Sequence, residues 1–286
     1  MKKALAIIIF ILLLVSGLSV LLYPTVSQMI NAKSQTRAVE AYQSDLEDVS
    51  DETFKDLMDA ANKYNTSLAA GDLSFDSEEA EEKYKASLKV GASNVIGFVE
   101  IPKLSIRLPM YHGTSPEVLQ IGIGHIQGTS LPVGGINTHT VLSGHRGLPS
   151  ASLFTNIDQL ELGDSFSLKV LKETLTYEVD RIQVVTPEAV DNISLIPGGD
   201  YATLITCTPY AVNTHRLLVR GKRIENPLVQ EIPQEGRKKP SVSLTQVLLI
   251  AAALAPLMLL FGLIVSRKRY RDKARAAKLR LIYSFE

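Results

Sequence analysis

Two long apolar runs bracket this chain of 286 residues and constrain everything between them. Ala4 to Leu22 (ALAIIIFILLLVSGLSVLL) follows Lys2 and Lys3 without a charge, and Val247 to Val265 (VLLIAAALAPLMLLFGLIV) leads into Ser-Arg-Lys-Arg-Tyr-Arg. At a rise of ~1.5 Å per residue, each run is long enough as a helix to cross a hydrocarbon layer ~30 Å thick. Each is therefore expected to be a transmembrane helix, and Pro256 can kink the second without forbidding it. A cleaved signal peptide starts in the same way as the first run, but its apolar core is only about 7–15 residues long. The greater length of Ala4 to Leu22 favours an anchor.

Basic residues lie on the outer flank of both runs: Lys2 and Lys3 before the first, then Arg267, Lys268, Arg269, Arg271, Lys273 and Arg275 after the second. The positive-inside rule then places both termini in the cytoplasm and the middle of the chain outside, at the cell membrane. Lys and Arg are balanced by Asp and Glu at a formal net charge of +0, so no basic excess calls for nucleic acid as a partner. The expected division is a cytoplasmic tip and anchor at 1–22, a helical region at 23–92, a β domain at 93–225, a linker at 226–245, a second anchor at 246–266 and a basic tail at 267–286.

A single cysteine, Cys207, lies in the part assigned to the oxidising exterior, where it has no partner for an internal disulfide. A buried structural thiol is one reading of such a residue and a nucleophile is the other. No Cys and His spacing in the chain matches a zinc site, so neither a metal nor another cofactor is expected.

After the first anchor, from Ser34 to Ala70, apolar residues recur at spacings of three and four: Val39, Tyr42, Leu46 and Val49, then Phe54, Leu57, Met58, Ala61, Tyr64 and Leu68. Two amphipathic helices follow from this spacing, the second capped by Ser50 or Asp51 and ending near Asn65 with Gly71. Gly71 to Lys89 is acidic and polar and reads as a mobile loop leading into a short helix, or as a plain solvated linker. From Val95 the texture changes to short apolar or alternating runs at 95–101, 105–108, 138–142, 165–171, 175–185, 202–206 and 217–223, separated by Gly, Pro and Asn. Many short strands with turn signals predict a mainly β domain, a closed or partly closed barrel.

Cys207 follows the apolar run Ala202 to Thr206 and precedes Thr208-Pro209-Tyr210, which puts the thiol at a strand end. A thiol with an ordinary pKa near ~8.5 is only partly ionised at neutral pH and needs a basic or cationic neighbour to act as a nucleophile. His145 lies just past the strand Thr138 to Leu142, and Arg216 opens the strand after the loop Pro209 to His215. Two strand ends on one barrel rim bring such groups together. Of the remaining histidines, His112 in a turn, His125 among glycines and His139 at a strand start read as structural or exposed, and His215 should point away from the side chain of Arg216.

Thr203-Leu-Ile-Thr-Cys207 resembles the TLxTC signature of the sortases, with a His upstream and an Arg downstream. More narrowly, His139-Thr-Val-Leu-Ser-Gly-His-Arg-Gly-Leu-Pro149 and the segment from Thr206 to Gly221 resemble class C, the pilin-polymerising sortases, and two anchors suit that class. The resemblance runs from about Val95 to Ile224. It implies a sortase barrel of about eight strands with short helices, and Cys207 as nucleophile, His145 as acid and base and Arg216 as stabiliser of the reacting carbonyl in one cleft. The implied substrate carries an LPxTG-like C-terminal signal cut between Thr and Gly, and the implied acceptor is a pilin lysine. A sortase of another class would attach surface proteins to the cell wall instead, and a catalytically idle adaptor would only bind such signals. One departure stands out. Class C sortases commonly have an Asp-Pro-aromatic lid motif before the barrel, where this chain has Leu73-Ser-Phe-Asp-Ser77, so Gly71 to Lys89 is expected to form at most a weak lid.

Overall fold

The structure, a computed structural model, describes residues 2–73, 78–189 and 193–226, together with single helical positions at 262, 267, 270 and 271. The chain divides into two units, Met1–Lys238 and Lys239–Glu286, and all the elements below belong to the first. Phe75 and Asp76 of the expected weak lid lie outside the described residues, as does nearly all of the run Val247 to Val265.

Eight strands close into a barrel in the order β1-β2-β3-β4-β7-β8-β6-β5. They are β1 (Val95–Ile101), β2 (Ile106–His112), β3 (Ile123–His125), β4 (Thr138–Ser143), β5 (Ser165–Val170), β6 (Glu173–Val185), β7 (Asp200–Thr208) and β8 (His215–Ile224). Seven had visible sequence patterns. The short β3 hides in Ile-Gly-Ile-Gly-His, where alternating glycines erase the apolar period although Ile123 and His125 are fully buried. His112, expected in a turn, is instead the last residue of β2, paired with His125 of β3.

Side chains alternate between the barrel interior and its outer wall. Ala202 and Leu204 of β7 point inward with Val219 of β8, Leu142 of β4 and the stacked pair Phe166 and Tyr177. Val141, Ile205 and Leu218 form a separate apolar cluster on the outer wall. That division fixes the face on which the next outward residue of β7, Cys207, must lie.

Among the described residues of this unit, four α-helices accompany the barrel: α1 (Lys2–Glu47), α2 (Asp51–Ala70), α3 (Glu78–Ala86) and α4 (Pro116–Ile121). The expected anchor and first amphipathic helix are one continuous helix, α1, running through Pro24. A proline removes only one hydrogen bond from a long ladder, and no glycine or second proline follows to end the helix between them. Its N-terminal part is long and apolar enough to cross a membrane. Further on, Gln28 Nε2 donates to Pro149 O (3.2 Å) and Asn31 Nδ2 to Ser150 O (2.8 Å). Three turns beyond, Val39 and Tyr42 are buried on the barrel, and Tyr42 Oη bonds Ile96 O (3.3 Å) and accepts from Leu171 N (2.7 Å). Phe98 meets the Tyr42 ring edge-on, which is why β1 is buried on both faces and reads as a continuous apolar run. Burying each such side chain contributes roughly 1.5–3 kcal/mol.

Helix α2 begins at Ser50, whose hydroxyl accepts from Thr53 N, and ends at Gly71 in the left-handed region (φ 77°). Both caps match the pattern expected for helix ends. Asn65, expected near the helix end, is a buried interior residue. Its amide donates to Leu131 O (3.1 Å) and accepts from Leu131 N (2.7 Å), stitching α2 to the connection between β3 and β4. Replacing Asn65 by Ala should lower the stability to urea by about 1–3 kcal/mol, the cost of leaving a buried backbone group unpaired. Unfolding followed by protease resistance in detergent checks this.

Helix α3 is held more firmly than the polar sequence around it suggests. Its buried Tyr84 hydroxyl lies 2.7 Å from His125 Nδ1 and accepts from Gly113 N (3.1 Å), while Ser87 Oγ lies 3.1 Å from His112 Nε2. His125 Nε2 faces Ser130 O at 2.8 Å, so Nε2 carries the proton and Nδ1 accepts from Tyr84. Burial pushes both His112 and His125 down to about 4, with their mutual repulsion and Lys89 adding to the effect at His112. Their unfolded pKa is near ~6.5. The unfolded chain therefore binds more protons between these values, and the stability that the neutral rings contribute is complete above about pH 6.5 and falls as pH drops toward 4. Stability measured from pH 7 to pH 4 should decline steadily, and His125→Asn, although less stable at pH 7, should show a shallower decline.

Candidate active site

The site is assembled by strand register. Strand β4 runs parallel to β7, with Val141 opposite Thr203 and Ser143 opposite Ile205. Strand β8 returns antiparallel, with Leu218 opposite Ile205 and Arg216 opposite Cys207. Cys207, Arg216 and the chain leaving β4 toward His145 therefore meet at one rim of the barrel, on its outer wall. Thr206, between the two outward residues Ile205 and Cys207, turns inward and donates its hydroxyl to Gly144 O (2.7 Å). Gly144 N in turn donates to Ile205 O at 3.0 Å. These two bonds carry the β4–β7 pairing one residue past the strand and fix His145 beside the end of β7.

Gly144 is there because nothing larger fits. A Cβ at this position would come within 2.7 Å of both Ile123 and Phe154. Past it, His145 O accepts from Phe154 N (3.1 Å), closing the loop that carries the imidazole. His145, Cys207 and Arg216 are all partly exposed.

The loop Pro209–Thr214 is a tight reversal: Val212 N and Asn213 N both donate to Pro209 O (3.1 and 3.0 Å), and Ala211 and Asn213 adopt positive φ. It delivers Arg216 to its place opposite Cys207. Arg216 Nη1 donates to the carbonyls of Asn213 (3.2 Å) and His215 (3.1 Å), which leaves Nε and Nη2 for another acceptor. His215 is exposed, with its Nδ1 2.9 Å from Thr214 Oγ1, and takes no part in this group.

One residue that the sequence reading did not single out supports the site. Arg146, next to His145 and only 10% exposed, donates from Nη1 to Thr208 Oγ1 (3.2 Å) and pairs through Nη2 with Asp158. It thus ties the histidine loop to the residue after the cysteine. Its adjacency to His145 was the only signal for it. His139, on the same outer wall, has Nδ1 2.8 Å from Ser194 O and Nε2 2.7 Å from Thr203 Oγ1, and burial lowers its pKa. It is a structural residue, as expected.

Residues 99–224 match the family described as Sortase domain. The chain is 31% identical over 147 residues to Sortase D of Bacillus subtilis, covering 50% of this chain and 71% of that one. It is also 34% identical over 132 residues to Sortase A of Streptococcus agalactiae, covering 45% and 52% of the two chains. Among solved structures it is similar to sortase C1 of Streptococcus agalactiae, at 43% identity and a TM-score of 0.65 over 67% of this chain and all of the other (100%). A Clostridium perfringens sortase C solved with the C-terminal cell wall sorting motif is similar at 43% identity and a TM-score of 0.61, covering 67% and 100%. This chain belongs to the sortase family, whose members are cysteine transpeptidases.

The Arg146 tether generates a prediction of its own. With Cys207 as the nucleophile the sequence resemblance implies, Arg146→Ala should leave the far-UV spectrum unchanged but slow thioester formation there by at least about tenfold, or ~1.4 kcal/mol. Arg146→Lys should recover only part of the rate, because one ammonium cannot span Thr208 and Asp158 as a planar fork does.

Proposed function

We propose that this chain is a class C sortase that joins pilin subunits through isopeptide bonds, working from the membrane with its barrel outside and both termini in the cytoplasm. The observation that carries the reading is the cross-strand pairing of Cys207 with Arg216 at the rim where His145 leaves β4. The structural relatives that are sortases C, one of them holding a cell wall sorting motif, support the class and the substrate.

In this reading Cys207 is the nucleophile. Its thiolate adds to the carbonyl carbon of the Thr in an LPxTG-like signal, and the free N–H groups of Arg216 hold the oxygen as it gains charge. As the tetrahedral species collapses, His145 gives a proton to the departing Gly amine, leaving a thioester. A pilin lysine amine then attacks the thioester carbonyl and passes a proton to His145. The Cys207 thiolate leaves and the isopeptide bond is complete. No metal or cofactor takes part in any step.

Incubation with an LPxTG-type peptide, read by mass spectrometry, tests the assignment. Wild type should gain the mass of the acyl fragment, Cys207→Ala should gain none, and His145→Ala and Arg216→Ala should be folded but slowed by about 10²-fold or more. A Cys207→Ala variant with full turnover would remove the cysteine mechanism. The more distant likeness to sortases A and D keeps a second reading open, in which the acceptor is a cell-wall peptide amine. Products separate the two: a ladder of linked pilins for the first, single anchored proteins for the second.

A further inference from the structure

Helix α1 lies along the barrel wall in a definite direction. Gln28 and Asn31 bond the Pro149–Ser150 segment of the loop that begins at His145. Tyr42 bonds Ile96 and Leu171, at the start of β1 and the turn between β5 and β6. That turn is the end of the barrel opposite Val185, which pairs with Arg216. The apolar N-terminal part of α1 therefore projects beyond the rim that carries Cys207, not beyond the other end.

Charge locates the membrane along this helix. No charged residue occurs between Lys3 and Lys33. About 20 helical residues fill the hydrocarbon core, so Gln28 and Asn31 fall in the interfacial layer where the helix emerges. The loop they hold is at the same level. Gly147 of that loop borders the Tyr210 ring, since a Cβ on Gly147 would lie 3.1 Å from it. Tyr210 is 57% exposed and Val212 63%, and from Thr208 to Thr214 there is no charge. Of the two arginines close by, Arg146 is occupied by Asp158 and Thr208, and Arg216 donates to the carbonyls of Asn213 and His215 beside Cys207.

We propose that the catalytic rim faces the bilayer, with Tyr210 and Val212 of the β7–β8 turn seated at the boundary between lipid headgroups and acyl chains. An amphipathic tyrosine ring and an aliphatic neighbour without charge suit that layer. The cleft of Cys207 then opens close to the membrane surface, where a signal near the membrane end of another anchored chain would be found. The proposal rests on α1 spanning the membrane.

The chain contains no tryptophan, so a single introduced Trp reports its own surroundings. The full chain is placed in proteoliposomes of phosphatidylcholine and phosphatidylglycerol, with or without acyl chains brominated both near the headgroup and near the chain end. Three variants are compared: Val212→Trp, Leu13→Trp within the apolar part of α1, and Ile136→Trp, 78% exposed just before β4 at the opposite end of the barrel. Each is first checked for a native far-UV spectrum. Val212→Trp and Leu13→Trp should both emit at shorter wavelength and lose most of their intensity with brominated lipid, while Ile136→Trp should keep its intensity. Quenching at Leu13 with none at Val212, or equal quenching at Val212 and Ile136, overturns the membrane-facing rim. An unquenched Leu13→Trp overturns the spanning helix itself, and the proposal with it.

Discussion

Parallel pairing of β4 with β7 is the constraint on which the site depends. A parallel pair has no tight turn between its strands, so both run toward the same rim and both release their C-terminal residues there. His145 and Cys207 come from those two ends. The antiparallel return of β8 adds the third group, because a short loop after β7 must place the first residues of β8 opposite the last residues of β7. Gly144 and Thr206 carry the register past the end of regular pairing, and Arg146 closes the arrangement from the other side.

The surrounding layers keep this register from slipping. Inward residues of β7 are locked in the core with Val219, Phe166 and Tyr177, and the outward cluster of Val141, Ile205 and Leu218 rejects a shift by one residue, which would exchange the two faces. Outside the barrel, α1 shields β1, Asn65 of α2 fastens the β3–β4 connection, and Tyr84 of α3 fixes His125. Three helices are thus attached to the barrel, each through a buried polar contact.

Much of this was legible in the residues. Strands with a clean alternation and the caps Ser50 and Gly71 were visible because period and turn chemistry are local signals, whereas the trio His145, Cys207 and Arg216 was picked out by its resemblance to the sortase signature. What escaped was non-local. Glycines masked β3, whose burial depends on neighbours far along the chain. Asn65 resembled a helix terminator because the partner that satisfies its amide, Leu131, is distant in sequence. The break expected between the anchor and the next helix was absent, since an apolar period that changes to an amphipathic one marks a change of surroundings and not a change of backbone. Arg146 could not be told from any loop arginine without knowing that Asp158 and Thr208 lie on either side of it.

The central claim, that strand register gathers the three groups at one rim, is most directly tested by bridging thiols. Cys207 is the single native cysteine, so His145→Cys, Arg216→Cys and Ile136→Cys each create one pair in the full-length protein. Dibromobimane fluoresces strongly only when it links two nearby thiols. The pairs with positions 145 and 216 should become fluorescent, and the pair with position 136, at the opposite end of the barrel, should remain dark. A dark 145 pair, or equal fluorescence from 136, would contradict the assembly of the site described above.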